Sequence, residues 1–250
     1  MRSRLPGNIT LDPAFVRIRR PRFRPFVASS GGALTITLLD SVKADSGALT
    51  IVSNDVFPTS GSLILIFIAN ADRKVIASIT SEFDSEPTWT DPGLSAVLNA
   101  GRDPSIDFWW GNFTSGSGTI TVTHNAGTPD SRQLNVYEVT GGHNTTTPII
   151  NGVSETNSVA IETTASLTVT APTAGNLSVG AICNMHTVTA SANVITPGTN
   201  FTELKEDFTT VTNEGCWLQV QYDDTTLGTE VDWSTLKRFK AYLAFEIQAA

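Results

Sequence analysis

Short runs in which apolar and polar residues alternate recur along most of the chain, and Gly, Pro, Asn and Asp separate them. Alternation with a period of two predicts a β-strand that has one buried face. Residues Leu63–Ala69 are apolar at every position, which is typical of a central strand buried on both faces. The pattern predicts one short helix, around Leu94–Asn99. In the first half, the predicted strands are Ala33–Leu39, Ala48–Val52, Ser62–Asn70, Val75–Thr80, Ile106–Phe113, Thr119–His124 and Gln133–Val139.

The second half of the chain repeats the first. Residues 50–70 match residues 164–184 at a constant offset of 114, so that Pro58 corresponds to Pro172. Further along, the segment IDFWWGNF…GTITVTHN parallels CWLQVQYDD…GTEVDWST, and NVYEV parallels LAFEI at an offset of 108. A repeat of this length indicates a duplicated structural unit.

The repeat leaves two arrangements open: one eight-stranded double-Greek-key sandwich, or two tandem sandwiches. Because each half contributes about four matched strands and the joint at 141–148 is short, we expect one sandwich. The predicted fold is therefore all-β: a jelly-roll-like antiparallel β-sandwich built from an internal repeat. It covers residues 33–250, with repeat halves at about 36–141 and 149–250.

The composition agrees with a β-protein. Serine and threonine together supply 57 of the 250 residues, and threonine favours strands whereas both are poor residues for helix interiors. With 40% hydrophobic and 16% charged residues, the chain can bury a sizeable core, which excludes a wholly disordered protein.

The charge is divided between an arm and a body. Residues 1–32 carry seven arginines and one acid, a net charge of +6, whereas the remaining residues carry nine bases and 23 acids, a net charge of −14. Such a body repels nucleic acid, so nucleic acid is not an expected partner. The arm can instead dock on an acidic protein surface, including the body of another copy.

Residues 1–32 are predicted to form an extended docking arm, because their four prolines prevent a helix and their apolar and basic residues alternate. A solvated, disordered tail is the alternative, although the arm has many large apolar groups for such a tail. The predicted partner-docking residues are Phe15, Arg17, Ile18, Arg19, Arg20, Arg22, Phe23, Arg24 and Phe26.

No stretch approaches the 18 apolar residues of a membrane span, so no membrane partner is expected. The basic N-terminus lacks the apolar region of a signal peptide. We therefore expect a leaderless protein made in a cytoplasm.

No group of residues carries a recognisable catalytic motif. His124, His143 and His186 lie far apart in the sequence and outside any metal-ligand or nucleophile pattern, so no catalytic residue, metal site or cofactor is predicted. Asp207 with Asp223–Asp224 lacks the spacing of a known calcium loop. Cys183 and Cys216 are predicted to be buried free thiols, and a disulfide between two strands is the alternative.

The adjacent residues Trp109 and Trp110 are the best indication of a ligand. In a strand they point to opposite faces, so we expect one ring in the core and the other toward solvent, a partner or a ligand. An exposed tryptophan can stack on a sugar. Packing under a loop or between subunits is the alternative.

The order of these segments resembles a known pattern. GSLILIFI, PTWT, DFWWGNFTSGSGTITVTHNA and LNVYEVTG are followed by AGNLSVGAI, PGTNFTELKE, GCWLQVQY and FKAYLAFEIQ. This order, over roughly residues 36–250, is similar to that of β-sandwich surface proteins of tailed bacteriophages and related bacterial proteins. The resemblance implies a jelly-roll-like virion or surface module and transfers no catalytic residues.

From the resemblance and the arm we expect a non-enzymatic virion structural protein, assembled in the host cytoplasm, that serves as a head decoration, spike base or fibre attachment. Its expected partners are capsid, portal, tail or fibre proteins and further copies of itself. A module that binds a carbohydrate or host receptor is the second hypothesis. A hydrolase of unknown type is the third.

Overall fold

The computed structural model of the chain describes residues 33–44, 48–71, 76–98, 104–125, 131–158, 164–170, 173–186, 195–209, 215–223, 229–234 and 239–250. These residues form sixteen strands and contain no helix. In the first repeat the strands are β1 (Thr35–Ala44), β2 (Thr50–Val52), β3 (Leu63–Asn70), β4 (Ile76–Ser81), β5 (Ser95–Val97), β6 (Ser105–Asn112), β7 (Ile120–His124) and β8 (Arg132–Thr140). In the second they are β9 (Ile149–Asn157), β10 (Thr164–Thr168), β11 (Leu177–His186), β12 (Thr196–Pro197), β13 (Thr202–Phe208), β14 (Gly215–Asp223), β15 (Glu230–Ser234) and β16 (Phe239–Ile247).

The two repeats have the same strand order. The first forms a five-stranded sheet, β1-β8-β3-β6-β5, and a three-stranded sheet, β2-β7-β4. The second forms β9-β16-β11-β14-β13 and β10-β15-β12, which is the same order with eight added to each number. Successive strands alternate between the two sheets as in a jelly roll, except that β5 pairs with β6, and β13 with β14, in the five-stranded sheets. The predicted all-β sandwich fold is confirmed, but the expectation of one sandwich shared by both repeats is wrong. Each repeat supplies eight strands instead of about four and forms its own pair of sheets around its own core.

The prediction of a helix around Leu94–Asn99 is wrong. Residues 95–97 form β5, which pairs antiparallel with β6. Leu94, Ala96 and Leu98 are buried while Ser95 is exposed, and this is the period of a strand. Asn99 lies outside the described residues.

Three apolar cores separate four layers of sheet. One core fills the space between the two sheets of the first repeat, and another does so in the second repeat. The third and largest core, which we call the inter-repeat core, lies between the two five-stranded sheets. Strand β3 therefore buries both of its faces: Leu65 and Phe67 point into the inter-repeat core, and Ile64 and Ile66 point into the core of the first repeat.

The repeats pack about a pseudo-two-fold axis. Strand β1 contacts β13 and β5 contacts β9, while β8 contacts β14 and β6 contacts β16. When each strand is exchanged for its equivalent in the other repeat, the β1–β13 contact becomes β9–β5 and the β8–β14 contact becomes β16–β6. The equivalent strands β3 and β11 contact each other. This reciprocity is the property of an isologous dimer interface, here formed within one chain.

Polar contacts also connect the repeats. Gln133 donates to the carbonyl of Cys216 at 2.8 Å, and Ser154 donates to the carbonyl of Ser95 at 3.1 Å. Lys43 and Asp207 form an ion pair of 2.5 Å between β1 and β13. Although burial alone would raise the pKa of Asp207, the hydrogen bond and charge of Lys43 lower it.

Candidate functional site

The predicted docking arm, from Phe15 to Phe26, lies outside the described residues, so its role stays a prediction. The structure does describe where the arm joins the body. Ala33 precedes β1, and its carbonyl packs directly against Gly141, which has a φ of +100° and leaves no room for a side chain. The arm therefore reaches the body at the end of β1 that lies beside the joint between the repeats.

Trp109 and Trp110 point to opposite faces of β6, as predicted. The ring of Trp110 packs against the inter-repeat core, and the ring of Trp109 packs against the core of the first repeat. Both side chains are half-buried, so each has a structural role and part of each ring still meets solvent. The backbone of Trp110 is fixed by two hydrogen bonds to Thr90, of 2.8 and 3.1 Å.

The Trp109 face of β6 is covered by a loop and not by a sheet. The three-stranded sheet of the first repeat packs near the β1 edge of the five-stranded sheet, since β2 contacts β1 and β8, whereas β6 lies toward the opposite edge. Loop 82–91 covers β6 instead: the ring of Trp89 lies on Gly111, where a Cβ would be 2.9 Å from the Trp89 ring. Glycine at this position thus allows the second indole to approach the strand. We call loop 82–91, together with Asp107 and Trp109, the first-repeat flank.

Glu86 holds the loop in place. Its carboxylate accepts hydrogen bonds from the backbone and hydroxyl of Ser81, the shortest 2.6 Å, and from Nε1 of Trp89 at 2.6 Å. Because these donors come from both ends of the loop, they position Trp89 next to Trp109. The flank consequently presents two half-buried indoles on a braced surface.

The flank is also acidic. Loop 82–91 contains Glu82, Asp84, Glu86 and Asp91 and no base. Asp107, on the same face of β6 as Trp109, is half-buried, and its Oδ2 has no hydrogen-bond partner among the described residues. Burial, and then the charge of Asp91, raise the pKa of Asp107 to about 7. A carboxyl group in this state favours a cationic or hydrogen-bond-donating partner.

The second repeat has no equivalent acid. Asp107 lies opposite Ile68, and its equivalent, Gln219, lies opposite Ile182. Gln219 is fully buried and accepts a hydrogen bond of 2.8 Å from Nε1 of Trp233. An amide stays neutral at every pH. The equivalent surface of the second repeat is in addition covered by Phe208, whose ring stacks on Trp217 at 4.7 Å.

Sequence reasoning found Trp109 but missed Trp89, Asp107 and the acidic loop. The available signals were ten residues with four acids and no base, EFDSEPTWTD, and an aspartate within an otherwise apolar strand. Neither signal shows that the loop folds back over β6, because that contact depends on Gly111, 22 residues from Trp89.

The remaining polar groups have structural surroundings. His124 contacts the carbonyl of Leu49 and the side chain of Asn70, at 3.1 and 3.0 Å. Asp207 is paired with Leu218 of β14, and Asp223 lies five residues further along that strand. These two aspartates therefore do not meet. Cys183 and Cys216 are fully buried, with their sulfur atoms 3.3 Å apart and no disulfide between them, as predicted.

Within the described ranges, no group of three or more His, Cys, Asp or Glu residues is arranged to hold a metal ion. No helix in this part of the chain is long and apolar enough to cross a membrane. Comparison of the chain with protein-family models, with curated proteins and with solved structures found no match.

Proposed function

We propose that this chain is a non-enzymatic structural protein of a tailed-phage virion: a head-decoration, spike-base or fibre-attachment module that its N-terminal arm anchors to the particle. The observation that carries the proposal is the division of charge between an arm of +6 and a body of −14. A segment that combines this charge with many large apolar residues repays the entropy lost on ordering only by burying surface on a partner. An assembled particle offers such surfaces.

The distribution of bases on the body supports this role for the arm. The described part of the body contains Lys43, Arg132, Lys205 and Lys240. Arg132 and Lys240 are fully buried, and both other lysines pair with Asp207. The bases in the described part of the body are therefore engaged within the body itself, whereas the arm carries a net charge of +6 for contact with an acidic partner surface.

Co-sedimentation with purified particles tests the proposal. Three proteins are compared at low and high salt: the wild type, a variant with Arg17, Arg19, Arg20, Arg22 and Arg24 changed to Ser, and a chain that begins at Ala33. Charge pairs are screened by salt, whereas apolar burial is not. We expect partial release of the wild type in high salt, and complete loss of binding only without the arm. If the chain without the arm sediments at the wild-type level, the arm does not anchor the protein.

A second function, binding of a host glycan, is favoured by the two half-buried indoles of the first-repeat flank. Aromatic rings and carboxylates placed side by side suit the apolar face and the hydroxyl groups of a sugar. A glycan array probed with the wild type and with Trp89→Ala tests this function, because Trp89 belongs to loop 82–91 and to none of the strands. The matched control is Trp233→Phe, in the core of the second repeat. A glycan signal that only Trp89→Ala removes, without a change in melting temperature, would support glycan binding.

A further inference from the structure

We propose that the arm of one copy docks on the first-repeat flank of a second copy, with its arginines toward the acids of loop 82–91 and its phenylalanines on Trp89 and Trp109. This inference rests on the proposed function, because it identifies the acidic surface that receives the arm. It makes the protein its own partner, so that neighbouring copies are joined through exchanged arms.

Charge complementarity is the first argument. Four acids occur in the ten residues of loop 82–91. The two ion pairs between described residues lie elsewhere, since both involve Asp207 in the second repeat. Glu86 is occupied in bracing the loop, whereas Asp84 and Asp91 are exposed on its surface. The arm carries five arginines between positions 17 and 24, and guanidinium groups both pair with carboxylates and stack on indoles.

The difference between the repeats is the second argument. The duplicated fold places Asp107 and Gln219 in the same position, yet only Gln219 has a tryptophan donor within its own repeat. The first repeat instead leaves the buried Oδ2 of Asp107 without a donor among the described residues and leaves its two indoles half-covered. A docked arginine supplies the donor, and docked phenylalanines complete the cover.

The path of the chain is the argument for a second copy as the source. Ala33 lies at the same end of the five-stranded sheet as Gly111, three strands away, or about 15 Å at the usual spacing. The joint between the repeats already follows this path: it starts at Gly141, beside Ala33, and Asn112 donates to the carbonyl of Thr145 at 2.9 Å. The joint therefore lines this end of the sheet between Ala33 and β6, whereas the arm of a second copy reaches the flank without following this end.

The dimensions also fit. The segment from Phe15 to Phe26 has twelve residues and spans about 40 Å when extended. An eight-residue strand such as β6 is about 27 Å long. The segment therefore covers the whole flank and leaves residues 27–32 to bridge the two bodies.

Complementary charge reversal in the full-length chain tests the proposal. One variant carries Arg19→Glu with Arg22→Glu in the arm, and another carries Asp84→Lys with Asp91→Lys in the flank. Sedimentation velocity gives the dissociation constant for self-association at 50 mM and 500 mM salt. We expect the wild type to self-associate. For each variant alone, the dissociation constant should be at least about tenfold higher. An equimolar mixture of the two variants should recover association, because the reversed arm fits the reversed flank.

The matched control is Asp55→Lys with Glu230→Lys, which makes the same change in net charge at exposed positions outside the flank. It should associate at least as well as the wild type. A wild type that stays monomeric at every concentration, or a mixture that recovers nothing, would overturn the inference. If such a failure occurs while particle binding still depends on the arm, the docking surface lies on another virion protein and the proposed function stands. Binding that is independent of the arm would overturn both.

Discussion

The carboxylate of Glu246 accepts a hydrogen bond of 2.6 Å from the backbone N–H of Thr173, and this contact has a counterpart in the other repeat. There, Glu138 accepts from the N–H of Thr59 at 2.8 Å. Each pair ties the last strand of a repeat to the turn before its central strand. A glycine with positive φ closes each turn, Gly175 at +94° and Gly61 at +82°. The duplication thus extends to individual hydrogen bonds, although the surroundings of the two glutamates differ.

Glu246 should matter more for stability than Glu138. Glu246 is buried and also accepts from the side chains of Asn151 and Asn176, both at 2.6 Å, whereas Glu138 is half-buried. Replacing Glu246 by Gln places an amide donor among these donors and should cost about 2–3 kcal/mol. Glu138→Gln is the matched control and should cost less than about 1 kcal/mol. Urea unfolding measures both, and equal losses would contradict this ranking.

Stability should depend on the ionisation of Asp107. Since folding raises the pKa of Asp107 to about 7, its contribution is fully present below about pH 4 and is lost as the pH rises through 7. Asp107→Asn should therefore stabilise the protein at pH 8.5, by about 1–3 kcal/mol, and the gain should shrink toward pH 4. Thermal unfolding of both proteins across this range, at concentrations too low for self-association, tests the prediction. A gain that is independent of pH would show that the carboxyl group does not titrate there.

The two thiols should report opening of the inter-repeat core. Cys183 and Cys216 are fully buried within that core, so a thiol reagent reaches them only after the repeats separate or unfold. We expect both thiols to react together, at least about 100-fold more slowly than in denaturant. The time course of labelling with a chromogenic disulfide measures this. Rapid reaction of one thiol in the native protein would contradict the packing described above.

The repeats should unfold as one cooperative unit. The ring of Phe108 in the first repeat stacks on that of Phe245 in the second, with centroids 4.2 Å apart in the inter-repeat core. Phe108→Ala should cost about 3–5 kcal/mol and shift the unfolding of both repeats equally. Replacing both Trp217 and Trp233 by Phe removes the tryptophans of the second repeat. Tryptophan fluorescence then follows the first repeat alone. If its transition then differs from that of the whole chain, the repeats unfold separately.

Much of the fold could be predicted from the sequence because the pattern is local. The alternation predicted the strands of the first half, and the fully apolar run at Leu63–Ala69 predicted the two buried faces of β3. The packing of one repeat on the other could not be predicted in this way. An apolar face shows that something covers it, but it does not show which sheet does so.

The sequence alignment of the two repeats is wrong by one residue at β7 and β15. Aligning GTITVTHN with GTEVDWST places Ile120 on Glu230, but Ile120 is buried and Glu230 is exposed. The buried residues of β15 are Val231 and Trp233, one position further along. Because side chains alternate between faces, a slip of one residue exchanges the core and solvent faces, and only the structure fixes the register.

The candidate site was accessible to sequence reasoning only in part. Trp109 stood out as one of two adjacent tryptophans, and the arm stood out by its charge. The chemistry of Asp107 depends on its burial and on the approach of Asp91, and both result from loop 82–91 folding over β6. Such long-range contacts leave no local pattern.

Photo-crosslinking from the arm locates the surface on which the arm docks. A full-length chain with a benzophenone amino acid in place of Phe23 is mixed with isotope-labelled wild-type chain and irradiated, and crosslinked peptides are identified by mass spectrometry. If the arm docks on the flank of a second copy, the unlabelled arm forms crosslinks to labelled peptides that contain loop 82–91 or Trp109. Asp84→Lys with Asp91→Lys in the labelled chain should remove these crosslinks. Crosslinks confined to the arm's own chain, or directed to the second repeat, would contradict docking on that flank.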